Sequence, residues 1–172
     1  KPYKGNAQVR AYAIYSLSKF REDGILEILI KFSRDRSKIV RLESIRGLGN
    51  FDDERLPDLF ISALRDKYAV VRTVAVLGLA KYMSEDENIA NLIIAVLDKE
   101  RDNNVKIACL NVLGLSKQPD ARETVKSFLK SDDFELKGAA IASLGDDLDM
   151  ESKELIANIL LDQREGAKGA AA

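Results

Sequence analysis

The apolar positions of this chain recur in blocks rather than as one continuous period. A Val-Arg dipeptide or a close relative stands at Val9-Arg10, Val40-Arg41, Val71-Arg72, Val105-Lys106, Leu136-Lys137 and Ala167-Lys168, at intervals of 31, 31, 34, 31 and 31 residues. Four residues after each anchor the side chain is small (Ala13, Ser44, Ala75, Cys109, Ala140), and five after it is aliphatic (Ile14, Ile45, Val76, Leu110, Ile141). The eighth residue is always leucine: Leu17, Leu48, Leu79, Leu113, Leu144. An α-helix advances about 100° per residue, so offsets 0, 4, 5 and 8 share one face. Each block therefore predicts a helix that runs to a small residue at offset 9: Ser18, Gly49, Ala80, Gly114 or Gly145. Glycine there is expected to stop the helix by entering the left-handed conformation. Small residues at offset 7 (Ser16, Gly47, Gly78, Ser143) leave room for a neighbouring helix.

A second set of apolar positions lies eleven and seven residues before the anchors, at Phe60 and Leu64, Val125 and Leu129, and Ile156 and Leu160. Leu29 fits the same scheme, with Phe32 expected to take the core place beside Ser33. These positions predict a first helix in every unit. Acids gather where such helices would start, at Asp52, Asp53, Glu54, Glu85, Asp86, Glu87, Asp120 and Glu151, and complement the helix dipole there. Pro57 falls in a first turn, where a missing N–H costs little. The 34-residue unit is expected to absorb its extra residues around Ser84–Asn88 and Lys99–Asn104. The reading is one all-α repeat domain over residues 1–172, with four complete helix pairs and a partial repeat at each end. Chain ends that interrupt a repeat, a first residue that is not Met and an Ala-rich finish lead us to expect a fragment of a longer protein.

Composition narrows the chemistry. Hydrophobic residues make up 46% and charged residues 32% of 172, as in globular proteins, and 27 Lys+Arg against 28 Asp+Glu leave a net charge of −1. With no histidine and one cysteine, Cys109, the chain has no imidazole base, no disulfide and no Cys/His zinc site. Gly-rich phosphate loops, nucleophile elbows and zinc-protease helices are absent. No catalytic, metal or cofactor residue is expected. Cys109 fills the small-residue slot and reads as a buried structural thiol. A lone cysteine suits a reducing compartment, so a cytoplasmic location is expected. No stretch is long enough to predict a membrane span.

Val-Arg, then a small residue, then Leu-Gly, with an acid in the preceding turn, resembles HEAT-like repeats. The short variety of phycobilisome-lyase type is the most similar. The resemblance implies a right-handed α-solenoid of antiparallel helix pairs, first helices convex and second helices concave. It also implies a charged ladder through the turns. Asp35, Asp66, Glu100, Ser131 and Asp162 stand five residues before the anchors, and Arg10, Arg41, Arg72, Lys106 and Lys137 one residue after them. Stacked helices lie about 8–10 Å apart, so carboxylates between these cations turn a repulsive column into an attractive one. Ser131 breaks the pattern, with Asp132 or Asp133 as substitutes.

Offsets 2, 3, 6 and 10 of the second helices point away from the predicted core. From them we take Tyr12, Tyr15, Leu42, Arg46, Val74, Leu77 and Asn111 as a candidate partner-binding surface. Tyrosine and arginine are enriched at interface hot spots, while the C-terminal half offers mainly alanines such as Ala139 and Ala142. The basic run from Lys31 to Arg41 gives residues 1–46 eleven basic against five acidic side chains. It lacks aromatic stacking stripes and Gly/Arg-rich segments, which disfavours nucleic acid. Asp146, Asp147, Asp149 and Glu151 lack calcium-loop spacing and read as a loop before a capped helix.

The resulting expectation is a non-catalytic scaffold that docks a protein or peptide, or another domain of the same chain, with no membrane partner. An alternative is a C-terminal accessory HEAT-like domain of a larger enzyme such as a zinc aminopeptidase, the catalytic residues lying outside this segment. A lesser one is a bilin-lyase-like protein. The register itself is testable: Ala75→Leu should overpack a helix pair and cost about 1–3 kcal/mol, and an unchanged melting temperature would contradict the assigned offsets.

Overall fold

Three of the helices begin at a side chain that receives the first unpaired backbone N–H groups. Asn6 Oδ1 accepts the Gln8 N–H at 2.9 Å, Asp102 Oδ1 that of Asn104 at 3.0 Å, and Asp133 Oδ1 that of Glu135 at 2.9 Å. Pro57 and Pro119 each stand in the first turn of a helix. The computed structural model describes residues 6–83, 87–145 and 148–169, with the backbone alone of 87 and 162–169. Among them are ten α-helices and no strand. These are α1 Ala7–Leu17, α2 Asp23–Phe32, α3 Lys38–Leu48, α4 Leu56–Ala63, α5 Ala69–Leu79, α6 Glu87–Lys99, α7 Asn103–Leu113, α8 Pro119–Ser127, α9 Phe134–Leu144 and α10 Met150–Gly169. Short 3-10 turns follow α5 at Ala80–Tyr82 and α8 at Phe128–Lys130.

The odd-numbered helices up to α9 are the anchor-bearing second helices, and the even-numbered ones are first helices. Each of α3, α5 and α7 packs on the first helix of its own repeat and on the second helices before and after it, and α9 packs on α8 and α7. Successive first helices touch one another far less. In a curved stack the layer with closer neighbours is the inner one, so the second helices line the inner side of an all-α solenoid. The leucines at offset 8 explain the cohesion: Leu48, Leu79 and Leu113 are wholly buried, as are Val40, Ala75, Val105 and Cys109. Burying one leucine contributes about 1.5–3 kcal/mol. Two of the three residues added to the 34-residue unit fall between the buried Leu79 and Ile93, and the third between Leu97 and Val105.

Several local expectations are corrected. Gly49 and Gly114 keep ordinary helical φ values of −58° and −61°, and only Gly145 takes the positive φ, 56°. Space, not handedness, requires glycine at 114: a Cβ there would lie 2.3 Å from the Ser143 carbonyl oxygen. At Gly47 a Cβ would lie 2.6 Å from Ser18 Cβ at the end of the preceding second helix, and at Gly78 2.5 Å from the Phe60 ring of the first helix, so offset 7 is closely approached by neighbouring helices. Ser33 itself occupies the core position, its hydroxyl donating to the Ile30 carbonyl at 2.7 Å, while Phe32 is only half-buried. Val9 and Ala13 are exposed because, among the described residues, no helix stands on that side of α1. The anchor at Ala167, expected to open another second helix, lies inside α10, which runs unbroken through 162–166. Gln163, Arg164 and Glu165 all favour helix, and no proline interrupts them. Leu160, expected in the core, is exposed on this helix.

The charged ladder forms over the first four anchor helices. Arg10 Nη2 donates to Asp35 Oδ1 at 3.0 Å. Arg41 forks onto Asp66 at 2.6 and 3.0 Å and reaches back to the Asp35 carbonyl oxygen at 2.8 Å. Arg72 forks onto Glu100 at 2.7 and 2.8 Å and reaches the Asp66 carbonyl oxygen at 2.9 Å. The acids also accept turn N–H groups, those of Ser37 at 2.8 Å, Tyr68 at 2.9 Å and Asp102 at 3.0 Å. Arg41 and Arg72 thus each tie their own turn to the next. At the next step lysine cannot fork and Ser131 has no charge; its hydroxyl accepts only the Asp133 N–H, at 3.1 Å. The cross-repeat bond is made by Asp133, as one of the two expected substitutes, but its partner is Asn103 Nδ2 at 2.7 Å rather than Lys106. Asp162 lies outside the residues whose side chains are described.

Burial alone would raise the carboxyls of Asp35 and Asp66, yet the turn N–H groups and arginines more than offset it and both lie below the ordinary range. The Arg72 hydrogen bond above all holds Glu100 down to about 2, from an ordinary 4.5. A carboxyl more acidic in the folded than in the unfolded chain contributes stability above its ordinary pKa and loses it as pH falls through the folded value. Glu100→Gln should therefore cost about 1.5–3 kcal/mol at neutral pH. Urea unfolding of both proteins should show the gap narrowing below pH 4.5 and closing near pH 2; a gap independent of pH would refute the charged link.

Candidate functional site

The helical period decides which side chains the inner face presents. On the second helices from α3 onward, offsets 0, 4 and 8 turn into the core and offset 7 meets a neighbouring helix, leaving offset 6 facing outward. Tyr15, Arg46, Leu77, Asn111 and Ala142 occupy that offset in five successive repeats, and all five are exposed. They form one column along the inner layer. Tyr15 and Leu77 are each 48% exposed, so the column offers aromatic and apolar surface to a partner.

The column has its own local supports. Lys19 Nζ sits 4.5 Å from the centre of the Tyr15 ring. Arg46 pairs with Glu43 one turn away at 2.8 Å, so its guanidinium is held but still half exposed. Asn111 Oδ1 accepts the hydroxyl of Ser143, the residue after Ala142, at 3.1 Å, which links α7 to α9.

The remaining candidates stand elsewhere. Leu42 and Val74, at offsets 2 and 3, are half-buried and pack against the core. Tyr12 is 63% exposed, but its counterparts at offset 3 (Glu43, Val74, Ala108, Ala139) are all wholly or partly covered, so it belongs to a stacking face rather than to the column. Offset 10, expected to point outward, serves the repeat instead in two places. Asn50 Nδ2 donates to the Ser18 carbonyl at 3.2 Å, and the Lys81 ammonium donates to the Phe51 carbonyl and to Asp52 Oδ1, the latter at 2.9 Å. These bonds tie the C-terminal ends of the second helices as the arginine ladder ties their N-terminal ends. Val70, outside the seven candidates, is also exposed and stands seven residues before Leu77, therefore on the same stripe. The seven-residue helical repeat was the signal for it.

Other groups with reactive potential are already engaged. Cys109 is fully buried, and burial pushes its thiol up to about 12, with the Glu100 charge adding to the effect. Asp149 pairs with Lys126 and accepts the Ser152 N–H at 2.9 Å, and these bonds, Lys126 first, hold its carboxyl well below the usual range. That is the capped helix start expected there; Asp146 and Asp147 lie outside the described residues. No group of three or more potential metal ligands occurs among the described residues, and none of their helices is long and apolar enough to cross a membrane.

A family model for HEAT repeats matches residues 3–80 and 90–172. Among solved structures, the chain is similar to one in the complex of CpcE and CpcF of phycocyanin lyase from Nostoc sp. PCC7120. The TM-score is 0.68 with 22% identity, covering 83% of this chain and 60% of that one. It is also similar to a designed armadillo repeat protein, with a TM-score of 0.58 and 15% identity over 90% of this chain and 84% of that one. At such identities the likeness shows the fold alone, and the chain spans only 60% of the length of the lyase chain it matches. No curated protein sequence matches.

The state of the thiol can be checked directly. Native protein should resist a maleimide reagent at pH 8, and denatured protein should take up one equivalent at Cys109. Rapid labelling of the native state would show that the small-residue slot is open.

Proposed function

The chain belongs to the HEAT-repeat family, and from that premise we propose that it is a non-catalytic docking solenoid whose inner face binds a protein or peptide. The observation that carries this reading is the column Tyr15, Arg46, Leu77 and Asn111, exposed at one equivalent position in successive second helices. A partner laid along it would cover the apolar side chains of Leu77 and Val70, stack on Tyr15, and meet the Arg46 guanidinium and the Asn111 amide. These are an apolar centre with polar neighbours, the usual anatomy of a specific interface.

The ties at both ends of the second helices support the same reading. Because the ladder and the offset-10 bonds hold neighbouring helices in register, the face is formed before a partner arrives, and little affinity is lost to ordering it. The lyase chain of similar fold is found in a complex, which favours a protein partner here too. Another domain of the same polypeptide would satisfy the chemistry equally.

The experiment is affinity capture followed by quantitative binding with whatever partner is recovered. Leu77→Asp places a charge at the apolar centre and should lower affinity at least about tenfold, roughly 1.4 kcal/mol, with the helical circular dichroism unchanged. Tyr15→Asp should act in the same direction. Binding that survives both changes would move the docking site off the inner face.

A further inference from the structure

The opposite feature of the solenoid is the edge formed by the turns within the repeats. Six residues before the four central anchors stands a cation: Arg34, Arg65, Lys99 and Lys130. Four before it stand Arg36, Lys67 and Arg101. All are exposed, and none forms an ion pair among the described residues. The acids between them, Asp35, Asp66 and Glu100, are turned inward, with side chains only 13%, 11% and 8% exposed, and are matched by Arg10, Arg41 and Arg72. The ladder thus removes the negative charges of these turns and leaves two outer columns of positive charge. Lys38 and Lys67 crowd the same ring, 4.8 and 5.0 Å from the centre of Tyr68.

Helix electrostatics explains one column but not the other. Cations six before the anchor lie at the C-terminal ends of first helices, where the dipole favours them. Arg36, Lys67 and Arg101 each precede the first residue of a second-helix cap (Ser37, Tyr68 and Asp102). A helix N-terminus favours anions, so the dipole does not account for these three cations, although Arg36 and Lys67 help hold the neighbouring carboxyls of Asp35 and Asp66 down. Beside them open two grooves, each lined by apolar side chains and by one ladder pair, Arg41 with Asp66 in one and Arg72 with Glu100 in the other. One of about 200 Å³ has Ile45, Leu59 and Ala63 on its walls, with Arg34 and Arg65 at its rim. The other, about 500 Å³, has Leu64, Leu92 and Val96, with Lys99 and Arg101 at its rim, and lies in the lengthened repeat.

We infer that this turn edge, from Arg34 to Arg101, is a second docking surface that binds an acidic, extended peptide segment carrying apolar side chains. Repeats are spaced about 8–10 Å apart and an extended chain rises about 3.3 Å per residue, so the segment advances about three residues per repeat. Its apolar side chains enter the two grooves and its carboxylates meet the two cation columns. A nucleic-acid backbone would satisfy the cations but leave the apolar groove walls uncovered. The exposed Asp132, four residues before its anchor where the earlier repeats carry a cation, ends that column toward the C-terminal repeats. This surface is separate from the inner face, and its failure would leave that reading untouched.

The test is fluorescence anisotropy with fluorescein-labelled Glu-Glu-Leu-Glu-Glu-Leu-Glu-Glu, the same peptide with alanine for leucine, and an oligothymidylate of equal charge. The leucine peptide should bind, weaken with added salt, and bind at least several-fold more tightly than either comparison ligand. The double variant Arg65→Glu/Arg101→Glu, whose side chains lie outside the ladder, should lose about tenfold or more of that affinity. No binding of the leucine peptide, affinity indifferent to salt or to the leucines, or unchanged affinity in a folded double variant would each overturn the proposal. Tighter binding of the oligothymidylate would reassign the edge to nucleic acid. The salt and leucine dependences are read on the unaltered chain and decide the matter even if the double variant does not fold.

Discussion

The fork of one arginine onto the carboxylate of the following turn, 25 or 28 residues away, is the contact on which the solenoid's order depends. Apolar packing between stacked repeats is strong but non-directional, and neighbouring helices with similar faces could slide past one another. A guanidinium fork admits one geometry. Because each carboxylate also accepts the N–H groups that shape its own turn, the link sets the turn and the stacking register together. Arg41 and Arg72 add a bond to the preceding carbonyl, so the ties run continuously from Arg10 to Glu100. The pairs are partly buried, where such links stabilise less than they specify.

That order has two surface consequences. On the inner side it aligns one outward position per repeat, so that residues 31 or 34 apart in sequence become neighbours in a column. On the turn edge it withdraws the acids and leaves the cations outward. The chain is close to neutral as a whole, yet its N-terminal turns are strongly positive because the ladder sorts charge by depth. Where Ser131 replaces the acid, the arginine chemistry ends, and an amide-to-carboxylate bond between Asn103 and Asp133 continues the link without a guanidinium fork.

Much of this was legible in the sequence. The anchors, the leucine at offset 8 and the small residue at offset 4 report helix faces directly, because side-chain direction follows from residue number along a regular helix. Arg10, Arg41 and Arg72 met the acids expected of them. Less was legible at the edges of the pattern. The glycines at 49 and 114 looked like left-handed stops, but close approach of Ser143 is what excludes a side chain at 114. Asn50 and Lys81 looked like surface residues, although the carbonyls they reach belong to the preceding repeat. Leu42 and Val74 shared the outward offsets yet are half-covered, since a neighbouring helix occludes positions that a single helix would expose.

The sequence by itself determined the all-α class, the repeat length, the helix faces and the chemical partners of the ladder, because each is a property of one repeat or of residues at a constant separation. The tertiary structure decided which outward positions remain open, which cations lack counter-charges and where the grooves lie. Those depend on how far one repeat rotates and slides against the next, a distance set by side-chain volumes on both faces at once, which no single helix encodes.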